Sequence, residues 1–172
     1  MDSTQFNQQI LTLSDKLFRF ANSILQNADA AKDAVQDLNL KLWEKRKTLE
    51  DVENLPAFTM KSMRNLCLDT LRKNKGEIEL APEVEYDEPS PHLQVERKDL
   101  VLQIKALIET LPELQRTIIR MRDVEGMEIA EIAYITSITE NAVSVNLSRA
   151  RQKIREKILS EQYRTEKFIW KS

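Results

Sequence analysis

The chain has two glycines, one cysteine and one histidine among its 172 residues, and only 6% of its residues are aromatic. So few glycines leave little material for hairpin turns, whereas abundant Leu, Ile, Lys, Glu and Gln favour helix. A single cysteine excludes an intramolecular disulfide and is typical of a reducing compartment. No apolar run approaches the ~20 residues needed to span a bilayer, and the N-terminus lacks the pattern of a signal peptide. We therefore expect a soluble, cytoplasmic, all-α protein.

The same scarcities argue against an enzyme. His92 lies in a proline-rich segment, and Cys67 has no histidine near it in the sequence. No glycine-rich phosphate loop and no cluster with metal-ligand spacing is present. The sequence thus predicts no catalytic residue, no metal site and no cofactor, and it predicts that His92 is a solvated linker residue.

The net charge of −2 is unevenly distributed along the chain. Residues 76–99 hold eight acidic and two basic residues, whereas residues 1–75 and residues 100–172 each hold 12 basic and 10 acidic residues. Residues 77–91 contain three prolines and six acidic side chains. Such a segment buries too little apolar surface to offset its ordering entropy, which is typical of a linker. We expect two small helical domains, 1–75 and 95–172, tethered but not fused by an acidic linker at 76–94.

Apolar residues spaced by three and four predict the helices of each domain. In the first domain, one helix face runs from Phe6 to Ile24. A second helix begins after Asn27, a good N-cap, and ends near Lys47, and a third begins near Pro56 and ends near Lys73. The predicted inward residues of the first two helices are Phe6, Ile10, Leu13, Leu17, Phe20, Ile24, Ala31, Val35, Leu38 and Leu42. The apolar positions of the third include Phe58, Met63, Leu66 and Leu71. In the second domain the predicted helices are 93–109 and 112–123, with Gly126 at a helix C-cap.

Residues 129–151 have the pattern of a helix-turn-helix, in which the second helix enters a DNA major groove. Thr139 is the expected N-cap of that second helix. With Val143 and Leu147 turned inward, the outward residues are Asn141, Ser144, Val145, Ser148 and Arg149. Arginine binds guanine, serine and asparagine bind base edges or phosphates, and a valine methyl packs on a thymine methyl. Arg151, Lys153 and Arg155 are placed to meet phosphates. The alternative is an ordinary amphipathic surface helix.

Two helices of the first domain also have candidate binding faces. On the second helix, the residues that point away from the core are Gln36, Asp37, Leu40 and Trp43, which indicates either a protein interface or a tryptophan folded back onto the core. On the third helix the notable residues are Phe58, Met60, Lys61, Arg64, Asn65, Arg72 and Lys73. A basic helix with an aromatic ring and an amide suits unstacked single-stranded nucleic acid, although a solvated charged face is the alternative.

Together these features resemble the extracytoplasmic-function (ECF) class of bacterial sigma factors over nearly the whole chain. The matching segments of the first domain are DAAKDAVQDLNLKLWEKR and LPAFTMKSMRNLCLDTLRK. Those of the second domain are LPELQRTIIRMRDVEGMEIAEIA and ITENAVSVNLSRARQKIREKI. The pairing of both halves across a linker is far more specific than either motif alone.

The resemblance implies a promoter-specific initiation factor for core RNA polymerase. The first domain would bind the β′ clamp helices through Gln36, Asp37, Leu40 and Trp43. It would bind the −10 element through Phe58, Lys61, Arg64, Asn65, Arg72 and Lys73, with Asn65 at the position that binds a flipped base. The second domain would contact the β flap and bind the −35 element through Asn141, Ser144, Val145, Ser148, Arg149 and Arg151. An anti-sigma factor is an implied partner.

The chain departs from the family pattern at several positions. Ser144 and Asn146 stand where basic residues are frequent, Ser137 stands where the turn often has glycine, and Phe58 stands where tryptophan is common. We therefore expect fewer or more apolar −35 contacts and a weaker stacking role for Phe58. The alternative function is a stand-alone helix-turn-helix regulator with a sensing or dimerising N-terminal domain, which would bind duplex DNA without polymerase.

Overall fold

The computed structural model describes residues 1–78 and 97–169, and within them the side chains of 1–74 and 100–161. The elements of this part of the chain are α1 (Ser3–Gln9), a 3₁₀ turn (Leu11–Leu13), α2 (Ser14–Leu25), α3 (Ala28–Glu44), a 3₁₀ turn (Thr48–Asp51), α4 (Leu55–Ile78), α5 (Arg97–Glu109), α6 (Glu113–Ile119), a π turn (Arg120–Val124), α7 (Ile129–Thr136) and α8 (Glu140–Ile169). These residues form no strand, which confirms the all-α class. None of these helices is long and apolar enough to cross a bilayer.

The first predicted helix is interrupted. A 3₁₀ turn at Leu11–Leu13 separates α1 from α2. In a 3₁₀ turn each residue advances further around the helix axis than in an α-helix. The apolar sides of α1 and α2 therefore do not form one continuous stripe. Phe6, Ile10, Leu17, Phe20 and Ile24 are nevertheless buried as predicted, whereas Leu13 is half-buried.

Helix α3 begins where the sequence predicts. Asn27 is its N-cap, and the Asn27 side chain accepts a hydrogen bond from the backbone N–H of Ala30 at 2.9 Å. The helix ends at Glu44, earlier than the predicted Lys47.

Only one of the four apolar positions named for the third predicted helix, α4, is fully buried. Met63 is buried, but Phe58, Leu66 and Leu71 are only half-buried. The fully packed positions are instead Ala57, Thr59, Met60, Met63 and Cys67. In α3, likewise, Ala34 is buried where Val35 was predicted. These helices have apolar residues on more than one side, so spacing alone does not select the innermost positions.

The second domain contains the predicted helix-turn-helix, α7 and α8. The predicted helix at 112–123 is α-helical only to Ile119 and ends in the π turn, after which Gly126 has a φ of 70°. The sequence-predicted linker lies largely at 79–96, outside the described residues, as do His92, the predicted helix start at 93–96 and Trp170. The domain bounds 1–75, 76–94 and 95–172 stay predictions.

The two units pack directly against each other, contrary to the expectation of bodies held only by a tether. Helix α2 lies against α6, and α4 lies against α7. The buried residues of both units form one continuous cluster. The acidic composition that predicts a linker says nothing about contacts between the surfaces on either side of it.

Two left-handed residues end helices in the second unit, and they predict opposite effects of substitution. Ser137 has a φ of 59° and Gly126 a φ of 70°, and a Cβ added at Gly126 would meet nothing within 4 Å. We expect Ser137→Gly to raise the free energy of unfolding by about 0.5 kcal/mol and Gly126→Ala to lower it by about 1 kcal/mol, because only glycine adopts this region without strain. Urea denaturation measures both.

The control is Ala106→Gly at an exposed position of α5, which should lower stability by about 1 kcal/mol. If Ser137→Gly destabilises the protein as much as this control does, the left-handed strain at Ser137 is refuted.

Candidate nucleic-acid and protein interfaces

The start of α8 is fixed by the turn before it. Ser137 ends α7 in the left-handed conformation, and the Thr139 hydroxyl accepts a hydrogen bond from the backbone N–H of Ala142 at 3.1 Å. This confirms Thr139 as the N-cap. Val143 and Leu147 are buried, so the rotation of the helix about its axis is determined.

That rotation exposes one face of α8 to solvent. All five outward residues predicted from the sequence are exposed, and they are Asn141, Ser144, Val145, Ser148 and Arg149. The side chain of Asn146 instead donates to its own helix, at the carbonyl of Ala142 2.8 Å away. The exposed face therefore combines one arginine with small polar groups and a valine, which suits base edges better than a row of phosphates.

Arg151 is held by an acidic residue. Its Nε and Nη2 donate to the Asp123 carboxylate at 3.0 and 2.5 Å, across the groove between α8 and the π turn. These hydrogen bonds and the charge of Asp123 raise the pKa of Arg151. Arg151 remains half-exposed. A DNA phosphate at this position would have to compete with Asp123.

A shallow groove extends the exposed face of α8. Its polar lining residues are Ser144, Ser148, Arg151, Gln152, Arg155 and Glu156. The sequence analysis did not select Gln152, although it follows Ser144 and Ser148 at the spacing of two and one helical turns. That spacing is the signal that would have found it.

The predicted −10 face of α4 is divided by the packing of the two units. Asn65 and Lys73 are exposed, and Arg72 is exposed beside Asp69 at 3.2 Å. By contrast, Lys61 lies under the ring of Tyr134, with its Nζ 4.4 Å from the ring centroid, and Arg64 is only 9% exposed. The half-buried Phe58 packs on the core.

Arg64 is paired across the interface with Glu113. One Nη of Arg64 lies 3.4 Å from the Glu113 carboxylate. Its Nε is buried without a hydrogen-bond partner. In this conformation the structure thus brings Asn65, Arg72 and Lys73 to the surface and keeps Lys61 and Arg64 against the second unit.

The predicted protein-binding face lies on α3. Gln36, Asp37 and Leu40 are exposed, and the Leu40 side chain is 59% exposed. Trp43 is half-buried: its ring meets Phe6 edge-on, 5.1 Å between centroids, and the Arg46 guanidinium stacks 4.2 Å above it. Trp43 therefore packs against the core, and the three residues beside it form an open patch with one apolar group.

The chain's cysteine is not a nucleophile in this structure. Cys67 is buried in α4, and burial, with a smaller effect from Glu113, raises its pKa to about 12. A thiol with so high a pKa stays protonated at neutral pH and is unreactive. Among the described side chains, no group of three or more His, Cys, Asp or Glu residues is arranged to hold a metal ion.

Comparison with known families divides the chain into the same two halves. The model of Sigma-70 region 2 matches residues 10–77, and the model of Sigma-70 region 4 matches residues 102–154. The region 2 match contains the α3 patch and the α4 face, and the region 4 match contains the helix-turn-helix. A stand-alone regulator would have no reason to match region 2, so the alternative function is not favoured.

Individual proteins agree with the family models. The chain is 28% identical over 151 residues to the ECF RNA polymerase sigma factor EcfG of Rhodopseudomonas palustris, covering 84% of this chain and 80% of that protein. It is 29% identical over 144 residues to the RNA polymerase sigma factor SigV of Bacillus subtilis, covering 84% and 85%.

A solved structure agrees as well. The sigma factor RpoE of Bartonella quintana, crystallised with the anti-sigma factor NepR, superposes with a TM-score of 0.70 at 26% identity, covering 88% of this chain and 95% of that one. Both halves of the sequence, their order and their fold therefore lead to one conclusion: the chain belongs to the ECF class of the sigma-70 family of RNA polymerase sigma factors.

Proposed function

We propose that this sigma factor recognises a promoter with the exposed faces of α4 and α8 and binds core RNA polymerase with the exposed patch of α3. The first unit, 1–75, binds the −10 element and the β′ clamp helices. The second unit, 95–172, binds the −35 element and the β flap. The protein acts in the cytoplasm and contributes recognition and strand opening, while the polymerase performs the chemistry.

The observation that supports this proposal best is the presence of two different nucleic-acid faces in one chain. The α8 face presents small polar groups and Arg149 on a helix-turn-helix, the geometry of duplex recognition. The α4 face presents the Asn65 amide, with exposed Arg72 and Lys73 about two turns further along the helix, which suits a single strand. A factor that locates a promoter and also holds it open needs both.

Binding energy is sufficient to explain strand opening. Unstacking a base step costs on the order of a few kcal/mol. The Asn65 amide has a donor and an acceptor for the edge of a flipped base, and the cations of α4 supply phosphate contacts. Each captured base offsets part of the unstacking cost, so no hydrolysis step is needed from this chain.

A protein inhibitor is part of the proposal. RpoE of Bartonella quintana, which has the same fold, was crystallised with an anti-sigma factor. The exposed apolar groups of this chain, which include Leu40 on α3, Leu102 on α5 and Val124 in the π turn, provide surface for such a partner.

The first prediction from the proposed function separates promoter opening from binding of duplex DNA. With core polymerase and a promoter selected from a random library, Asn65→Ala should lower run-off transcription about tenfold or more, because one flipped base loses its hydrogen bonds. Binding of the duplex −35 element should be unchanged. Arg149→Ala should weaken that −35 binding, by about 1–3 kcal/mol if the arginine contacts guanine.

The matched control is Asn74→Ala, an exposed amide on the same helix outside the proposed face. Permanganate reactivity of melted thymines reports opening directly. The wild type giving no polymerase-dependent transcript would reject the function. Equal effects of the two asparagine variants would reject only the role of Asn65.

The second prediction concerns the polymerase-binding patch. Leu40→Ser should lower the affinity for core polymerase about tenfold without lowering stability, because the Leu40 side chain is mostly exposed. Trp43→Ala should lower both, because Trp43 also packs on Phe6 and Arg46. Affinity is measured by co-purification and titration, and stability by thermal unfolding.

The control is Leu11→Ser, which alters another exposed leucine, 41% exposed and outside the α3 patch. Core binding that responds equally to the Leu40 and Leu11 substitutions would show that the α3 patch is not the binding surface.

The third prediction concerns the pair of Arg151 and Asp123. In the wild type, Arg151 must leave Asp123 to bind a DNA phosphate. The unpaired Asp123 carboxylate then attracts a cation from solution, which offsets the counterion released from the DNA. Asp123→Ala removes that compensation, so the slope of log K against log salt for −35 duplex binding should steepen by about 0.9. Glu128→Ala is the control, because Glu128 pairs with Arg122, outside the proposed DNA face. Identical slopes for the two variants would place Arg151 away from phosphate.

A further inference from the structure

The first residue of α8, Glu140, places an acidic side chain at the tip of the proposed −35 face. Glu140 is exposed to solvent. In a helix-turn-helix, the N-terminal residues of the second helix contact base edges. Every Cα–Cβ bond of an α-helix tilts toward the N-terminus, so a side chain in the first turn points past the end of the helix. Glu140 is therefore placed to reach base edges in a major groove that the start of α8 enters.

The start of α8 does not need this carboxylate as a cap. The Thr139 hydroxyl already accepts a hydrogen bond from the backbone N–H of Ala142. Among the residues that the structure describes, none forms a hydrogen bond or an ion pair with the Glu140 side chain. By contrast, Asp123 on the flank of the same helix is paired with Arg151. The Glu140 carboxylate is thus available to a ligand, and its structural role is limited to the favourable helix dipole that any first-turn acid meets.

The distribution of charge along α8 indicates what kind of ligand this carboxylate meets. Residues 140–148 contain no lysine or arginine, and the first cation of the helix is Arg149. A DNA phosphate beside the first two turns would therefore face the charge of Glu140 with no cation there to offset the repulsion. An acidic group is favourable in a DNA interface only where it accepts a hydrogen bond. The start of α8 thus suits an amino group on a base edge better than the phosphate backbone.

The four bases differ in what they offer to a carboxylate in the major groove. An ionised carboxylate accepts hydrogen bonds and donates none. Cytosine is the one base whose major-groove edge has a donor, the N4 amino group, and no acceptor. Guanine and thymine present acceptors, and adenine presents the N7 acceptor beside its N6 amino group. Cytosine is therefore the base that Glu140 matches best.

We propose that Glu140 is a specificity-determining residue that accepts a hydrogen bond from the N4 amino group of one cytosine in the −35 element. This inference rests on the proposed function, which assigns α8 to that element, and it adds a residue to the proposed −35 face. The same carboxylate repels the acceptor edges of guanine and thymine at that position, so repulsion contributes to the discrimination as much as attraction does. The expected preference for cytosine over the other bases is on the order of tenfold.

The test reads base preference at each position of the −35 element. The full chain is combined with core polymerase and a promoter library with a fixed −10 element and a randomised −35 region, and the DNA of the open complexes is sequenced. The wild type should prefer cytosine about tenfold at one position. Glu140→Gln should prefer adenine at that same position, because an amide pairs with N6 and N7 of adenine. Glu140→Ala should accept all four bases there at similar frequencies.

The matched control is Glu131→Gln, which makes the same chemical change in the first turn of α7, the other helix of the motif. Both substitutions remove one negative charge from a helix N-terminus, so thermal unfolding should show similar small losses of stability. Only Glu140→Gln should change the base preference. A role limited to the helix dipole would leave the preference of both variants like that of the wild type.

Two results would overturn the assignment of Glu140. One is a base preference that neither Glu140 variant changes. The other is a change that Glu131→Gln reproduces, or that falls on a position at which the wild type does not prefer cytosine. These results differ from failure of the proposed function, in which the wild type with core polymerase selects no −35 sequence at all, and both proposals are then rejected.

Discussion

The buried guanidinium of Arg116 satisfies the carboxyl ends of two helices that belong to different units. The last carbonyls of an α-helix have no partner within it, and a cation there is favoured by the helix dipole. Arg116 supplies both the hydrogen-bond donors and the positive charge, to the carbonyls of Ser23 and Ile24 of α2 and of Glu109 at the end of α5. Burial lowers the pKa of Arg116, but an arginine titrates so far above neutrality that it stays charged. Removing water from this charge is tolerable only while these carbonyls stay in place. The position of α6 against α2 is therefore fixed, and with it the contact of α7 with α4.

That arrangement shows how a nucleic-acid-binding protein behaves without nucleic acid. The residues proposed to bind phosphate instead contact acidic or aromatic side chains: Arg64 and Arg151 pair with Glu113 and Asp123, and Lys61 lies under the Tyr134 ring. The groups proposed to bind bases, Asn65 and Arg149, remain exposed. Some of the proposed phosphate contacts, which would provide affinity, are thus under internal competition, whereas the proposed base contacts, which would provide specificity, are available.

Local signals in the sequence were sufficient for most helices and for the rotation of α8. Asn27 and Thr139 are caps that act on their own neighbours, so they could be identified without knowing the fold. The contacts between the two units could not be identified in this way. Arg64 and Arg116 look like solvated charges in the sequence, and their burial depends on carbonyls and carboxylates tens of residues away. The break between α1 and α2 was missed for a related reason, because apolar spacing continues through the 3₁₀ turn. The family resemblance named the candidate residues on α4, but it could not say which of them this conformation covers.

The weakness of each DNA face is compatible with strong promoter recognition. A chain with a net charge of −2 has little general attraction for DNA. When two faces are joined in one chain, the second binding event becomes intramolecular, and the combined affinity can exceed either one by orders of magnitude. That gain requires both faces to reach their elements at the same time. In the packed arrangement α6 and α7 cover Arg64 and Lys61 of the α4 face, while Asn65 and the α8 face stay exposed. Two weak faces that act on one promoter at once therefore bind it strongly, and only at the spacing that both faces can reach.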